Sequence, residues 1–209
     1  MTPKRKNVIF DLDGTLSDTA KATYEAIISV QLRYQLPPIT NEHVKRAMGL
    51  AGLEFYRHIY PSMPEEALRE IEPVVDALEE ETINKLGEAI LFPGVKEMLE
   101  SLKQIGCKLY IASTGSQSHV YTTLRAAGIE SFFEGIHCAE PVKIDMVKKI
   151  IKESNPDGWL MVGDMYKDLE AAKANDVLAL GAGFGYLDKA DYALFDTVLK
   201  VPADLLAYC

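Results

Sequence analysis

The second half of the chain restricts the fold most strongly, because short apolar runs and amphipathic segments of helical length alternate there without interruption. The alternation begins after Phe92-Pro93-Gly94. Repeated strand and helix units of this kind predict a parallel sheet that is covered by helices on both faces. The predicted strands are 108–112, 135–138, 159–162 and 177–180, and the predicted helices are 95–105, 117–127, 144–154 and 166–175.

One further strand is predicted near the beginning of the chain, at Val8-Ile9-Phe10. This run is β-branched and aromatic and ends in polar residues, as a buried strand of a parallel sheet does. No comparable strand follows before Phe92; amphipathic segments separated by turns predict helices at 20–34, 41–48 and 65–86 instead. We therefore predict an α/β protein with a doubly wound, Rossmann-like core formed by 1–17 and 92–209, and a small helical domain inserted at 18–91.

In doubly wound sheets, ligands bind beyond the carboxyl ends of the strands, so the residues that follow each strand are site candidates. Asp11 and Asp13 follow the first strand and face the same side of the extended chain, whereas Leu12 turns into the core. Gly14 permits a sharp turn, and Thr15 is predicted to form a local hydrogen bond. Two carboxylates this close together indicate a bound cation or a shared proton.

Polar groups also follow three other strands of the predicted sheet. Residues 113–116 precede a helix, and their hydroxyls and free amides are suited to an anion cradle, although for these residues taken alone helix capping is the more common explanation. Lys143 precedes the next helix and can supply positive charge to a phosphate group. Asp164 and Asp168 follow a later strand and lie one helical turn apart. Together, the four strand ends indicate one site for Mg²⁺ and a phosphate group.

Composition excludes several other classes of function. The 209 residues carry a net charge of −9, so neither a nucleic acid nor a membrane surface is expected as a partner. No stretch approaches the roughly 20 apolar residues that a membrane-spanning helix needs. The three cysteines show no disulfide spacing, which favours a reducing compartment, and we expect a cytoplasmic protein. The sequence leaves the oligomeric state open.

The motifs DLDGTLSDT (11–19), IASTGS (111–116), Lys143 and GDMYKD (163–168) resemble, in this order, the four motifs of the haloacid dehalogenase (HAD) superfamily. The segment FPGVKEMLESLKQIG at 92–106 is similar to the stretch that follows a helical cap in that family. The resemblance is to the branch that contains phosphoglycolate phosphatases and β-phosphoglucomutases. It implies Mg²⁺-dependent hydrolysis of a phosphate monoester through an aspartyl-phosphate intermediate.

The resemblance also implies a role for each aspartate. Asp11 would be the nucleophile. Asp13 would protonate the leaving alkoxide and then deprotonate the water that hydrolyses the phospho-enzyme. The implied metal ligands are Asp11, Asp13 and Asp164, and Asp168 would be either a further ligand or a residue that positions the others. Because carbon–halogen-cleaving members of the superfamily lack the second aspartate, Asp13 favours a phosphatase over a dehalogenase.

The phosphate group has its own implied ligands. The Ser113 side chain and the backbone amide of Thr114 would hold phosphate oxygens, and Lys143 would pair with both the nucleophile and the phosphoryl group. The inserted segment 18–91 would be a helical cap, and its turn at 48–52 would be the cap loop that approaches the substrate. Two sets of residues are interpreted as surface or structural rather than functional, namely the basic residues Lys45, Arg46 and Arg57, and the histidines His43, His58, His119 and His137.

Two alternatives to a phosphatase remain open from the sequence. A phosphomutase uses the same aspartates but returns the phosphoryl group to a sugar. A non-catalytic phosphate-binding or Mg²⁺-binding module would retain the fold without the reaction, although a binder has no need of both Asp11 and Asp13. The partner is expected to be a small phosphorylated metabolite, and phosphoglycolate, sugar phosphates, nucleoside monophosphates and pyrophosphate are all compatible with the motifs.

Overall fold

The structure is a computed structural model that describes residues 6–50, 52–140, 142–154 and 158–209. Ala51 of the predicted cap loop and Pro141, which precedes Lys143 in the sequence, lie outside the described residues. The strands are β1 (Asn7–Phe10), β2 (Lys108–Ser113), β3 (Phe133–Cys138), β4 (Trp159–Gly163), β5 (Leu178–Ala182) and β6 (Thr197–Leu199). The helices are α1 (Thr19–Val30), α2 (Asn41–Ala47), α3 (Leu53–Ile59), α4 (Glu65–Leu86), α5 (Val95–Gln104), α6 (Gln117–Ala126), α7 (Lys143–Ser154) and α8 (Tyr166–Ala174).

The six strands form one sheet in the order β3-β2-β1-β4-β5-β6, and every neighbouring pair is parallel. The predicted α/β fold with a doubly wound parallel sheet is therefore confirmed. Strand β1 lies in the interior of the sheet, where Val8 is paired with Leu109 on one side and Leu160 on the other. Because β1 has neighbours on both sides, the residues that follow it emerge at the middle of the carboxyl edge.

Both faces of the sheet are buried, which explains why the strands are almost continuously apolar. Val8 and Phe10 contribute to a core cluster with residues of α5 and α6, whereas Ile9 points to the opposite face and joins a cluster with α7 and α8. The alternation of side chains along β1 thus supplies both hydrophobic cores. The sheet is fixed from both sides, and its carboxyl edge becomes a rigid base for the loops that follow.

The first four helices after β1, α1 to α4, pack around a third cluster of their own. Ile27 of α1, Val44 of α2, Phe55 of α3 and Ile71 of α4 are among its buried residues. The inserted helices thus have a separate core, and the division of the chain at 18–91 stays a prediction. Among the described helices, none combines the length and the apolar character needed to cross a membrane.

The predicted strands and helices are all present, with shifted boundaries and some additions. Helix α1 ends at Val30 rather than at residue 34, because residues 31–35 form turns and Gln35 has a positive φ of 51°. Helix α3 and strand β6 were not predicted. They contain only 7 and 3 residues, too few to show a clear hydrophobic period.

Candidate active site

The residues predicted at the four strand ends converge at the carboxyl edge of the sheet. A small cavity of about 20 Å³ lies there, between the end of β1 and the loop that precedes α3. Side chains from β1, β2 and α7 reach it although they are far apart in the sequence. Its lining residues are Asp11, Asp13, Gly49, Ser113, Thr114, Lys143, Met165 and Lys167.

Lys143 is the buried cation of the site. Its Nζ donates hydrogen bonds to Oδ1 of Asp11 and to Oδ1 of Asp168, each at 2.7 Å. Burial opposes the charged form of the ammonium, but the two carboxylates outweigh this effect and raise the pKa of Lys143. The ammonium is therefore charged at neutral pH and held beside the carboxylate predicted as the nucleophile.

Asp11 is a buried carboxyl with an unusual protonation equilibrium. Burial raises its pKa most strongly, the Lys143 charge opposes this, and the neighbouring Asp168 and Asp13 carboxylates raise it further. The result is a pKa of about 7. In the absence of a further cation, the nucleophile predicted from the sequence is thus only partly ionised at neutral pH.

Asp164 contacts the loop that follows β1. Its Oδ1 accepts a hydrogen bond of 2.9 Å from Oγ1 of Thr15. The local hydrogen bond predicted for the Thr15 side chain is therefore replaced by one to a residue that is distant in the sequence. The other oxygen of Asp164, Oδ2, is buried and has no hydrogen-bond partner within the part of the chain that the structure describes. Burial and the carboxylates of Asp11 and Asp168 raise the pKa of Asp164.

Asp168 uses both carboxylate oxygens within the protein. Oδ1 accepts from Lys143, and Oδ2 accepts from the backbone N–H groups of Asp164 at 3.1 Å and Met165 at 2.9 Å. The second pair of bonds caps the start of α8 and fixes the loop that carries Asp164. Of the two roles open for Asp168 in the sequence, positioning the other groups fits this bonding better than direct ligation.

Two glycines let these loops approach one another. Gly14 has a φ of +81°, and a Cβ at this position would lie 2.5 Å from both Oδ2 of Asp164 and the ring of Tyr186. A Cβ at Gly163 would overlap the side chain of Asp168. The glycines of the DGT and GDMYKD motifs are therefore required by close contact between the motifs, and Gly14 also by its backbone conformation.

The carboxylates are suited to a divalent cation. Oxygen atoms of Asp11, Asp164 and Asp168 all lie within 4.8 Å of one another. Two of these three buried carboxyl groups pair with the Lys143 ammonium, and Oδ2 of the third, Asp164, lacks a partner among the described residues. The group therefore has an available oxygen, and a bound cation would relieve the repulsion between its carboxylates. A hard cation that takes few protein oxygens, such as Mg²⁺, fits this donor set.

Asp13, which the resemblance placed among the metal ligands, is not a member of this carboxylate group. Its Oδ1 accepts a hydrogen bond of 2.7 Å from Oγ1 of Thr19 and lies 2.8 Å from Nε2 of His119. Burial opposes ionisation of the Asp13 carboxyl, but the His119 charge and the hydrogen bonds from His119 and Thr19 outweigh it and lower its pKa. These contacts hold the Asp13 carboxylate beside Thr19 and His119, and its place among the metal ligands stays a prediction.

The structure brings His119 to the site, whereas the sequence had been interpreted as giving it a structural or surface role. Its Nδ1 lies 3.5 Å from Oε2 of Glu79 in α4. Burial disfavours the protonated imidazole, but Asp13 and Glu79 outweigh this and hold the pKa of His119 well above 6.5. The sequence contains one usable signal: His119 lies three residues after Ser116, the N-cap of a helix that begins at a strand end. First-turn residues of such a helix lie close to the site.

The turn at 48–52 reaches the core, as predicted for a cap loop. The carbonyl oxygen of Gly49 accepts hydrogen bonds from Nζ of Lys167 at 3.0 Å and from Oγ1 of Thr114 at 3.4 Å. Gly49 lines the small cavity and also a larger one of about 470 Å³ between the inserted helices and the core. The two cavities also share Asp13 and Thr114, so they adjoin at the proposed reaction centre.

The basic residues near this turn point elsewhere. Arg46 pairs with Glu42 at 3.2 Å on the protein surface, and Arg57 pairs with Glu65. Lys45 lies over the ring of Tyr186, with 5.0 Å between Nζ and the ring centroid. None of the three lines either cavity within the described part of the chain.

Comparison with known proteins gives an independent result. A family model described as haloacid dehalogenase-like hydrolase matches residues 8–182. A pyrophosphatase named PpaX from Listeria monocytogenes serotype 4a (strain HCC23) is 28% identical and covers 99% of this chain and 97% of its own length. A phosphoglycolate phosphatase from Agrobacterium fabrum (strain C58) is 29% identical over 86% of this chain and 81% of its own. These matches confirm the resemblance that the four motifs indicated.

Solved structures share the fold over nearly the whole chain. A predicted phosphoglycolate phosphatase from Haemophilus somnus 129pt superimposes with a TM-score of 0.86 and 21% identity, covering 99% of both chains. A β-phosphoglucomutase from Clostridium difficile gives a TM-score of 0.77 and 20% identity over 96% of this chain and 93% of its own. At these identities the likeness shows the common fold alone.

Proposed function

Because the chain belongs to the haloacid dehalogenase-like hydrolase family, we propose that it is a Mg²⁺-dependent phosphatase that hydrolyses a small phosphate monoester through a phospho-aspartate at Asp11. One observation carries this proposal: two aspartates line the same small cavity but have different partners. Asp11 faces the ammonium of Lys143, and Asp13 faces His119 and Thr19. A nucleophile and a separate proton-transfer group require such different environments.

In the first step, an oxygen of Asp11 attacks phosphorus and the bond between phosphorus and the alcohol oxygen breaks. The Ser113 hydroxyl, the Thr114 amide and the Lys143 ammonium bind the phosphoryl oxygens and stabilise their charge. Asp11 and Asp164, with Asp168 positioning them, would hold Mg²⁺, which would supply further neutralisation of the phosphoryl charge. The leaving alkoxide receives a proton from Asp13.

Asp13 needs a source for this proton, because its lowered pKa leaves it ionised before substrate binds. His119 is protonated and lies at hydrogen-bond distance from Asp13. The arrival of a phosphate dianion beside Asp13 raises the pKa of this carboxyl, since like charges favour the neutral form. We therefore include transfer of a proton from His119 to Asp13 in the proposed reaction. Asp13 returns to the ionised form on protonating the alkoxide. It then takes a proton from the water whose oxygen attacks phosphorus as the bond between phosphorus and Asp11 breaks. Return of this proton from Asp13 to His119 restores the starting state.

The inserted segment 18–91 is proposed as the cap. Its turn at Gly49 already contacts Thr114 and Lys167 of the core, and helix α4 brings Glu79 close to His119. A cap in this position excludes bulk water and contacts the leaving group. The expected substrate is a small phosphorylated metabolite, and the proposal involves no nucleic acid or membrane partner.

A phosphomutase is the second candidate, favoured by the fold shared with a β-phosphoglucomutase over 96% of the chain. A mutase returns the phosphoryl group from Asp11 to a second hydroxyl of the substrate. Phosphorus NMR of the products separates the two reactions, because hydrolysis yields inorganic phosphate and the mutase yields an isomer. A binding module would give neither product.

Phosphate release from an aryl phosphate and from a panel of phosphorylated metabolites, with Mg²⁺ and with a chelator, tests the proposal. Asp11→Asn is expected to lower the rate at least about a thousandfold, because an amide cannot form the phospho-enzyme. Asp145→Asn, an exposed residue of α7, is the control and should retain the rate. Mass spectrometry of quenched wild-type protein should show phosphorylation on Asp11. Unchanged turnover by Asp11→Asn would disprove the mechanism.

A further inference from the structure

The two cavities at the proposed site differ in charge. The small cavity contains the ammonium groups of Lys143 and Lys167 together with the carboxyl groups of Asp11 and Asp13. The larger cavity, of about 470 Å³, has no lysine or arginine among its described lining residues. A substrate that occupies both cavities therefore meets two ammonium groups at its phosphate end. At its other end it meets no lysine or arginine of the described lining.

The larger cavity is strongly acidic along one wall. Four carboxylates from α4 line it, and their spacing of four, three and one residues places them on one face of the helix. His119 is the only basic side chain among the described lining residues, and it is already shared between Asp13 and Glu79. The four carboxylates are Glu72, Asp76, Glu79 and Glu80.

Neutral hydroxyls donate to three of these carboxylates, and Glu79 is the one of the three that also faces His119. Tyr56 donates to Asp76 at 3.0 Å. The Thr23 hydroxyl donates to Glu79, and the Ser118 hydroxyl donates to Glu80. Hydroxyl donors orient a carboxylate without cancelling its charge. The carboxylates of this wall therefore remain negatively charged, and they line the cavity.

Asp76 shows the effect of this crowding. Burial raises its pKa most strongly; Tyr56 opposes this by hydrogen bonding, and the Glu79 and Glu72 charges add to the increase, giving a pKa of about 6. A positive charge placed in the cavity would relieve this repulsion, and a negative charge would increase it.

We propose that the larger cavity binds the alcohol portion of the substrate and selects a phosphate monoester whose alcohol carries an ammonium group. The inference rests on the proposed phosphatase function and names its substrate class. The acidic wall is part of a cavity that also contains Asp13 and Thr114, so a bound alcohol lies between the α4 carboxylates and the reacting groups. Apolar contacts for the carbon skeleton come from Met48, Leu50 and Phe55.

The same charge distribution disfavours the substrates that the names of two relatives state. Glycolate and phosphate, the groups released from phosphoglycolate and pyrophosphate, are anions. In this chain they would be placed beside Glu72, Asp76, Glu79 and Glu80 without a lysine or arginine from the described lining. Like-charge contact of this kind is an effective means of rejecting a ligand.

A matched series of three two-carbon esters tests the inference on the intact protein with Mg²⁺. 2-Aminoethyl phosphate, 2-hydroxyethyl phosphate and 2-phosphoglycolate all have two carbons and end in an ammonium, a hydroxyl or a carboxylate, the carboxylate carbon of 2-phosphoglycolate replacing one methylene. We expect kcat/KM to fall in that order, by at least about tenfold from first to last. Equal values, or a preference for the carboxylate ester, would overturn the inference.

Charge-neutral variants locate the selectivity. Asp76→Asn and Glu72→Gln should each lower kcat/KM for the ammonium ester and raise it for the carboxylate ester, so that their ratio falls about three- to tenfold. Glu70→Gln changes an exposed residue of the same helix that does not line the cavity, and should leave the ratio unchanged. If both variants fail to fold, the ester series on the unmodified protein still decides.

An aryl phosphate separates failure of the inference from failure of the proposed function. Hydrolysis of p-nitrophenyl phosphate together with no preference for the ammonium ester would overturn the inference alone. Absence of turnover with every ester, including the aryl phosphate, would overturn the proposed function and the inference with it. Turnover of the aryl phosphate and the expected order among the three esters would support both.

Discussion

Nε2 of His119 lies 2.8 Å from Oδ1 of Asp13, although 106 residues separate them in the chain. The other ring nitrogen of His119 lies 3.5 Å from Glu79 in α4. One imidazole therefore connects the proposed proton-transfer group in the core with the inserted helices. A displacement of α4 would change the surroundings of His119, and through it the proton affinity of Asp13.

His119→Gln should lower stability most at mildly acidic pH. The pKa of His119 is raised by folding, so its stabilising contribution is complete below about 6.5, the ordinary value, and is lost as pH rises through the folded value. The pKa of Asp13 is lowered, so its contribution is present above 3.8 and is lost only at lower pH. Urea unfolding should give a free-energy difference from wild type of about 1–3 kcal/mol near pH 6, and a smaller one near pH 10.

His58→Gln is the matched control for this prediction, because His58 is exposed and lies in α3. Its free energy of unfolding should stay within about 0.5 kcal/mol of wild type at both pH values. A difference for His119→Gln that grows with pH would contradict a protonated His119 in the folded protein.

Asp164→Asn should weaken Mg²⁺ binding without lowering the stability of the metal-free protein. Its carboxylate is buried next to Asp11 and Asp168, and its raised pKa means that folding disfavours the charged form. The amide removes this repulsion, so the metal-free variant is expected to have a Tm equal to or above that of wild type. Added Mg²⁺ should stabilise wild type by about 2.7 kcal/mol at a hundredfold excess over Kd, and the variant hardly at all.

Thermal unfolding with and without Mg²⁺ is the measurement, and Glu170→Gln, an exposed change in α8, is the control. The control should show the full Mg²⁺-dependent shift. Full retention of that shift by Asp164→Asn would mean that the cation does not bind at this carboxylate.

Lys143→Met should destabilise the metal-free protein by about 3–5 kcal/mol, because it leaves buried carboxylates without their ammonium. Mg²⁺ should restore more stability to this variant than to wild type, since the cation then opposes an uncompensated charge. Lys149→Met, in the same helix but at an exposed position, should change the free energy of unfolding by less than about 0.5 kcal/mol. Equal effects of the two variants in urea unfolding would show that the buried ion pairs contribute nothing.

The rate at limiting Mg²⁺ should rise with pH through about 7, because Asp11 must be ionised to attack phosphorus and its pKa is about 7 without the metal. Saturating Mg²⁺ should move this acid limb to lower pH, since a nearby cation favours the carboxylate. Rate profiles at the two Mg²⁺ concentrations measure the shift. If the pH of the acid limb is the same at both Mg²⁺ concentrations, the cation does not bind next to the carboxylate that attacks phosphorus.

The sequence was sufficient for the parallel sheet and for most of the site, because both depend on local patterns. Apolar runs give the strands, and the rule that ligands bind beyond strand ends selects Asp11, Ser113, Lys143 and Asp164 without knowledge of the strand order. The turn at Gly14 was predictable in the same way, because a sharp turn directly after a strand favours a glycine, and Gly14 has a positive φ.

The contacts of His119 and Thr15 could not be read from local patterns. Both residues have polar residues close by in the sequence with which they could form local hydrogen bonds. Each is nevertheless hydrogen-bonded to an aspartate that is distant in the sequence. Which partner such a side chain finds depends on how helices and loops pack. The acidic face of α4 is a similar case, because a run of glutamates on a helix is ordinarily solvated and only the packing of α4 against the core encloses it.

The interior position of β1 has a consequence for the synthesis of the protein. Asn7 is paired with Lys108 and with Trp159, so the strand that carries the nucleophile acquires its second neighbour only late in the chain. On the ribosome, the inserted helices can form local contacts first, whereas the N-terminal strand waits for distant partners. A nascent or prematurely terminated chain that ends before β4 would lack both the second neighbour of β1 and Asp164, and with them part of the proposed active site.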